Sequence, residues 1–249
     1  MKPHKAVWIL LTALTALPAI AADITVSAAA SLSNAFKDIA QSYRQQYPDS
    51  RVRLNTAGSG TLLQQAVQGA PVDVLAFADQ QTMDKAAAKG LIYPQTRRNF
   101  AQNTLVAAAP AASKLTLARL NDLTKPQFER VAVSNPNSVP AGSYAQAALQ
   151  KAGVWRALQP KIIRTQHVRQ TLDYIARGEV DVGFVYQTDA ALMKNKVRIL
   201  RTVPTDTPVS YPIAVARAGG QRAEAQRFVN YVLSPAGRAI LARYGFKQP

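Results

Sequence analysis

The stretch ITVSAAASLSNAFKDIAQSY, from Ile24 to Tyr43, decides how the rest of the chain is read. Its opening, Ile24-Thr25-Val26-Ser27, has the β-branched, apolar character of a short buried strand. Leu32, Ala35, Phe36, Ile39, Ala40 and Tyr43 then recur at i, i+3, i+4, i+7, i+8 and i+11, which predicts an amphipathic helix over 32–46. A strand that turns directly into a helix is half of a βαβ unit. Two hydroxyls, Ser31 and Ser33, stand where that helix begins. A serine there can cap the helix by accepting a hydrogen bond from a first-turn N–H. It can equally mark a bound anion, because free N–H groups and the positive end of the helix dipole favour negative charge. Recurrence of the pattern elsewhere separates the two readings.

The alternation continues along the chain. Residues 51–55 alternate like a strand, and a helix over 61–68, with Leu62, Leu63, Ala66 and Val67 on one face, stops at Gly69. Residues 72–76 read as a buried strand, after which Asp79 caps a helix that runs through Met83 and Ala87 to Gly90. A strand over 103–108 is broken by Pro110. Strand 131–133 precedes a helix over 141–152 that stops at Gly153, and a helix over 168–177 ends at Gly178. Strand 181–186, a short helix over 190–194, strand 209–216 and helices near 221–232 and 235–243 complete the chain. Regular β-α alternation predicts an α/β architecture of parallel sheets covered by helices on both faces. A chain of 249 residues is long for one such sheet, so two α/β lobes with a cleft between them are expected. Ligands in such sheets lie beyond the carboxyl ends of the strands, where helices start.

The opening pattern recurs at those places. Strand 51–55 leads into Thr56-Ala57-Gly58-Ser59-Gly60-Thr61, where glycines on both sides of Ser59 permit a tight turn and close approach of backbone to a ligand. Strand 131–133 leads into residues 134–142, in which Pro140 suits a helix start and Gly142 leaves the N–H groups uncovered. Gln166-His167-Val168-Arg169 opens another helix. Tyr186 ends strand 181–186 at the edge where the cleft is expected. Each feature alone fits a structural role: a cap, a turn, a core valine, a strand aromatic. Together they place several helix N-termini and a phenol where one ligand could meet them.

Composition limits what that ligand and its setting can be. Residues 1–21 have the pattern of a secretory signal: Lys2 and Lys5, an uncharged apolar run over 6–17, and Ala19-Ile20-Ala21 as a small-x-small cleavage site. The mature chain is expected to begin at Ala22 or Asp23. No later segment is long and apolar enough for a transmembrane span. The sequence has no cysteine, so neither a disulfide nor a lipid anchor at the cleavage point is available, and a protein free in a bacterial periplasm is expected. Net charge is +16, and +14 without Lys2 and Lys5, which favours an anionic partner by long-range attraction. The basic residues are scattered rather than interleaved with aromatics, unlike a nucleic-acid reader. Ser59 is not a nucleophile elbow, since Ala57 and Thr61 stand where that motif needs glycines. His167 is the sole histidine after residue 21, and the carboxylates show no metal-loop spacing, so neither catalysis nor side-chain metal ligation is expected.

The segments AAASL (28–32), AGSGT (57–61), APVDVLAFADQ (70–80), SNPNSVPAGSYAQAAL (134–149), HVRQTL (167–172), VGFVYQTDA (182–190) and RYGF (243–246) resemble the periplasmic molybdate-binding proteins of ABC importers. The resemblance spans essentially the whole chain after the signal. It implies the two-lobed periplasmic-binding-protein fold (type II), with lobes over 22–103 plus 207–249 and over 104–206, and two chain crossings between them. It implies no cofactor and no enzymatic activity, but high-affinity binding of molybdate, with tungstate as a near-isosteric ligand and molybdenum held only as the oxyanion. Its implied ligand-binding residues are Ser31 and Ser59 through their hydroxyls, Ala141 and Val168 through backbone N–H groups, and Tyr186 through its phenol. The family turn at Ser59 is often serine-rich; glycines stand here instead. His167 has no role in the family motif. The implied partner is an ABC permease met transiently by a monomer, and another small oxyanion such as sulfate is the alternative ligand.

Overall fold

The computed structural model describes residues 22–249; the signal segment 1–21 lies outside the described residues. β1 (Ala22–Ala29) passes through one 3-10 turn into α1 (Ser33–Gln46). β2 (Ser50–Ala57), α2 (Ser59–Val67), β3 (Val74–Ala76), α3 (Gln80–Ala88) and β4 (Arg98–Asn103) follow. A single residue, Thr104, separates β4 from β5 (Leu105–Pro110), and β5 belongs to a different sheet. That sheet is completed by β6 (Val131–Ser134), β7 (Ile162–Thr165), β8 (Val182–Tyr186) and β9 (Val197–Thr202), with α4 (Pro140–Lys151), α5 (Trp155–Leu158), α6 (Val168–Ala176) and α7 (Gln187–Leu192) between strands. The chain then returns through residues 203–208 to β10 (Val209–Val215) of the first sheet, and ends with α8 (Arg222–Leu233) and α9 (Pro235–Arg243).

The strand orders are β2-β1-β3-β10-β4 and β7-β6-β8-β5-β9. The fold is therefore α/β and two-lobed, each lobe built on its own sheet and joined to the other by two crossings. The sheets are mixed, not parallel as the alternation predicts. β1 runs parallel to β2 and β3, and β6 parallel to β7 and β8, but β10 runs antiparallel to β3 and β4, and β5 antiparallel to β8 and β9. The reason is connectivity. Strands reached through a helix, including β4 after α3 and β9 after α7, run in the same direction as the strand before, whereas β5 and β10 enter their sheets directly from the crossings, with no crossover helix.

Period-2 burial organises the first lobe. Val74 and Ala76, with Ile213 and Val215, face the core shared with α1 and α8, where Phe36, Ile39, Tyr43 and Phe228 pack. Leu75 and Phe77, with Ala214 and Ala216, face the opposite way, onto Leu62, Leu63 and Met83 of α2 and α3. This is why β3 and β10 are buried at every position: both faces are covered. Aromatic rings continue the packing from one lobe to the other. Phe100 lies 6.2 Å from Tyr211, and Tyr211 lies 6.1 Å from Tyr186 in β8, both near edge-to-face.

Candidate anion-binding site

The five residues singled out above line one small pocket between the lobes, together with Ala29, Ala30, Ala57, Gly58, Ala78, Val139, Pro140 and His167. Ser31 sits in the 3-10 turn after β1 and is buried. It caps nothing. The residue before α1 is Leu32, which makes no side-chain cap, and Ser33 Oγ turns back to donate to the Ala30 carbonyl at 2.7 Å. Ser31 Oγ instead lies 3.1 Å from Tyr211 Oη. Ser59 is the first residue of α2, two residues earlier than the periodicity predicts, because Gly58 adopts the extended conformation of a helix-preceding residue. Its Oγ accepts the Ala78 N–H at 3.1 Å. The Ser59 hydrogen has no acceptor among the described residues and is free for a ligand.

The second lobe contributes backbone. α4 begins at Pro140 and α6 at Val168, so the Ala141 and Val168 N–H groups fall in first turns, where helix geometry supplies no acceptor. α4 lies close on the strand beneath it: a Cβ on Gly142 would fall 1.9 Å from the Ser134 carbonyl oxygen. A buried ring of hydroxyls, Ser134, Thr165 and Thr171, ties the ends of β6 and β7 to α6 at 2.6–3.0 Å. His167 acquires a role that the sequence did not assign: its Nδ1 accepts the Gln170 N–H at 3.1 Å, capping α6. Burial holds its pKa below the ordinary histidine value, opposed by Asp173 and helped by Arg169; the cap requires Nδ1 unprotonated. Tyr186, at the end of β8, is 1% exposed, and its Oη has no hydrogen-bond partner among the described residues. Burial pushes that phenol well above the ordinary tyrosine value, so it stays a donor at neutral pH.

The lobes touch on both sides of the pocket. On one side, Gly60 N–H donates to the Ser138 carbonyl at 2.9 Å. A Cβ on Gly60 would stand 2.8 Å from Ser138 Cα, and one on Gly58 would stand 2.8 Å from Ser138 O. The glycines flanking Ser59 therefore admit the opposite lobe, rather than only the ligand that the sequence reading envisaged. On the other side, Arg169 reaches from α6 into the first lobe, donating to the Ser31 carbonyl at 3.0 Å and to Asn34 Oδ1 at 2.8 Å. Its Nε lies 2.7 Å from Asp189 Oδ1, and the same buried carboxylate accepts the Tyr186 N–H at 3.1 Å.

No lysine or arginine lines the pocket. Its polar surface consists of hydroxyls, helix N-termini and the neutral His167 imidazole, a set that fits an anion of fixed negative charge. The free space within it is about 10 Å³, the scale of one water-sized sphere, so a larger ligand needs the lobes to part and close again around it. A wider groove of about 1120 Å³ lies alongside and shares Val139 and Pro140 with the pocket. Asp79, Asp84 and Asp206 line that groove. Asp79 is committed to capping α3 through Thr82, while Asp84 and Asp206 are paired with Arg97 and Lys151. Lys85 and Lys151 line the groove as well, so the larger space presents charges of both signs, whereas the smaller one presents neutral donors.

Three contributors escaped the sequence reading. Tyr211 lies in the fully buried strand β10, Asn103 at a strand end, and Arg169 after a backbone donor. Only their neighbours in space mark them, and no spacing signal could have found them.

Comparison with known proteins agrees with this geometry. The profile of the family described as bacterial extracellular solute-binding protein matches residues 24–247. The molybdate-binding protein ModA of Escherichia coli (strain K12) is 40% identical over 229 residues, covering 90% of this chain and 88% of that protein. The solved periplasmic molybdate-binding protein of Azotobacter vinelandii superimposes with a TM-score of 0.78 at 23% identity, covering 91% and 99% of the two chains. The sulfate-binding protein SubI of Mycobacterium tuberculosis H37Rv gives 0.79 at 17% identity, covering 91% and 87%. These two structural likenesses carry the fold alone; the family rests on the sequence matches. With its two mixed sheets, double crossing and near-full-length matches, the chain belongs to the bacterial extracellular solute-binding proteins and, within them, to the molybdate-binding proteins.

Proposed function

We propose that the protein binds molybdate outside the cytoplasm and delivers it to an ABC importer, with Ser31, Ser59, Ala141, Val168 and Tyr186 as the ligand-binding residues. The observation that carries this reading is the Tyr186 hydroxyl, buried without a partner in a pocket lined by helix N-termini from both lobes. A buried unpaired hydroxyl is costly, by about 1–3 kcal/mol, and a bound oxyanion relieves that cost. Molybdate is a tetrahedral dianion without a proton at neutral pH. Each hydrogen bond to it contributes roughly 1.5–3 kcal/mol, and each helix terminus about 0.3–1 kcal/mol. Hydrogen phosphate brings an O–H that a donor-lined pocket leaves unpaired, which is penalised. Tungstate matches molybdate in charge and shape and is a second ligand; sulfate is set apart by size.

The protein acts in the periplasm, as a monomer, without catalysing a reaction, and its transient partner is the permease. Its lobes are taken as 22–103 plus 207–249 and 104–206, bending about Thr104 and the return segment 203–208. Thermal unfolding with molybdate, tungstate, sulfate, phosphate and citrate tests the assignment. Ligand at a thousand times its dissociation constant adds roughly 4 kcal/mol to stability. Molybdate and tungstate are expected to raise the melting point; a rise with sulfate or citrate alone would reassign the ligand.

A further inference from the structure

Ser31 shares a hydrogen bond with Tyr211 in which geometry alone lets either oxygen donate. The surrounding network removes that freedom. The Thr104 backbone N–H, which can only donate, lies 2.9 Å from one amide atom of Asn103 and fixes that atom as Oδ1. The other amide atom is therefore Nδ2, and its two hydrogens go to Thr188 Oγ1 at 2.8 Å and to Tyr211 Oη at 3.2 Å. Tyr211 is fully buried, and Ser31 is the one neighbour positioned to accept its phenolic hydrogen. If Ser31 donated to Tyr211 instead, that phenolic hydrogen would be left buried and unpaired. The direction is thus Asn103 to Tyr211 to Ser31, and the Ser31 hydrogen is left for the pocket.

We propose that Tyr211, oriented by Asn103, is a positioning residue that holds the Ser31 hydroxyl as a hydrogen donor toward the pocket and so sets the preference for oxyanions that carry no proton. The proposal rests on the oxyanion reading above. Tyr211 does not line the pocket; it acts through Ser31. Ser59 is made a donor more simply, by the Ala78 N–H, so Ser31 is the hydroxyl whose direction depends on side chains and can be reversed by substitution.

Asn103→Asp is the reversing variant. It keeps the shape and the Thr104 contact but has no N–H to give. Tyr211 then donates to the new carboxylate, accepts from Ser31, and Ser31 turns a lone pair to the pocket. Asn103 is half-buried at a strand end rather than in the core, so the change is tolerable to the fold. Tyr211→Phe is the second variant, which frees Ser31 to turn either way. The measurement is molybdate affinity by calorimetry at pH 8, with displacement by phosphate, which is then also a dianion but carries a proton. Equal charge on the two ligands cancels repulsion from the added carboxylate. In Asn103→Asp the molybdate-over-phosphate preference is expected to fall at least about tenfold, the scale of one charged hydrogen bond. Tyr211→Phe is expected to lower it by a smaller factor. Equal weakening of both ligands, with the ratio unchanged, would mean a merely structural role and overturn the proposal. Wild-type protein that binds no oxyanion would overturn the oxyanion reading and this proposal with it.

Discussion

The two lobes face the pocket from opposite sides with different chemistry. The first offers side-chain hydroxyls, Ser31 and Ser59, each held by a neighbour, Tyr211 and the Ala78 N–H. The second offers backbone N–H groups at the starts of α4 and α6, joined by the Tyr186 phenol. Backbone donors survive any side-chain substitution that leaves the helix start intact, whereas a hydroxyl is lost with one atom. The site is therefore vulnerable to mutation at its hydroxyls, two of them in the first lobe and Tyr186 in the second, and resistant at the helix starts of the second, although all of them face the same pocket.

The largest expected effect comes from stripping the first lobe of its hydroxyls. The double variant Ser31→Ala, Ser59→Ala removes both hydroxyls proposed to bind the dianion, two charged hydrogen bonds of roughly 3–6 kcal/mol together, and is expected to weaken molybdate binding by a factor on the order of 10² to 10⁴ in calorimetry. Next is Gly60→Ala. Its Cβ would stand 2.8 Å from Ser138 Cα, so closure must cost strain of about 1–3 kcal/mol. Affinity should fall roughly 10- to 100-fold, mainly through faster dissociation in stopped-flow, while the melting point of the ligand-free protein holds. Tyr186→Phe sharpens the comparison by having two signs. Binding should weaken about tenfold or more, yet the ligand-free protein should melt no lower than wild type, because an unpaired buried hydroxyl has gone. The smallest effects lie on the backbone side. Val168→Ala should change affinity less than about threefold, since its N–H remains; a larger loss would break the contrast between lobes.

His167 gives that same side a dependence on pH. Its folded pKa is depressed by burial, so the neutral form is favoured by folding. The resulting stabilisation is complete above the unfolded value of about 6.5 and is lost as pH falls through the folded value. Ligand-free protein should therefore melt lower at pH 5 than at pH 7, and His167→Asn, which caps without titrating, should flatten that difference.

Much of this was legible in the sequence because it depends on local rules. The helix stops at Gly69, Gly90, Gly153 and Gly178 are real, with φ between 67° and 85°, and the Asp79 cap binds the Thr82 N–H as its position predicts. The five pocket residues were found by their places at strand ends and by family resemblance, and they line one cavity. What could not be read was set by tertiary context. β4, β7 and β9 are edge strands, each partly exposed and each carrying arginine, so burial leaves no clear period in them. In β9, Arg198 and Arg201 are spent binding the carbonyls of Ser113, Leu115 and Ala118, which fastens a loop over the sheet edge. The reversal of β5 and β10 follows from chain crossings that no periodicity encodes. The relay from Asn103 through Tyr211 to Ser31 spans 108 and then 180 positions along the chain, and only folding brings these residues together.

The distribution of charge has a kinetic consequence. The chain beyond residue 21 carries +14, yet no lysine or arginine lines the pocket. Cations scattered over the exterior accelerate the approach of a dianion, and dissolved salt weakens that pull over about 10 Å at 0.1 M. Once seated, the dianion faces only neutral dipoles, which screening barely reaches. Capture should thus slow as salt rises while residence time stays nearly constant, and unloading at the permease severs no ion pair.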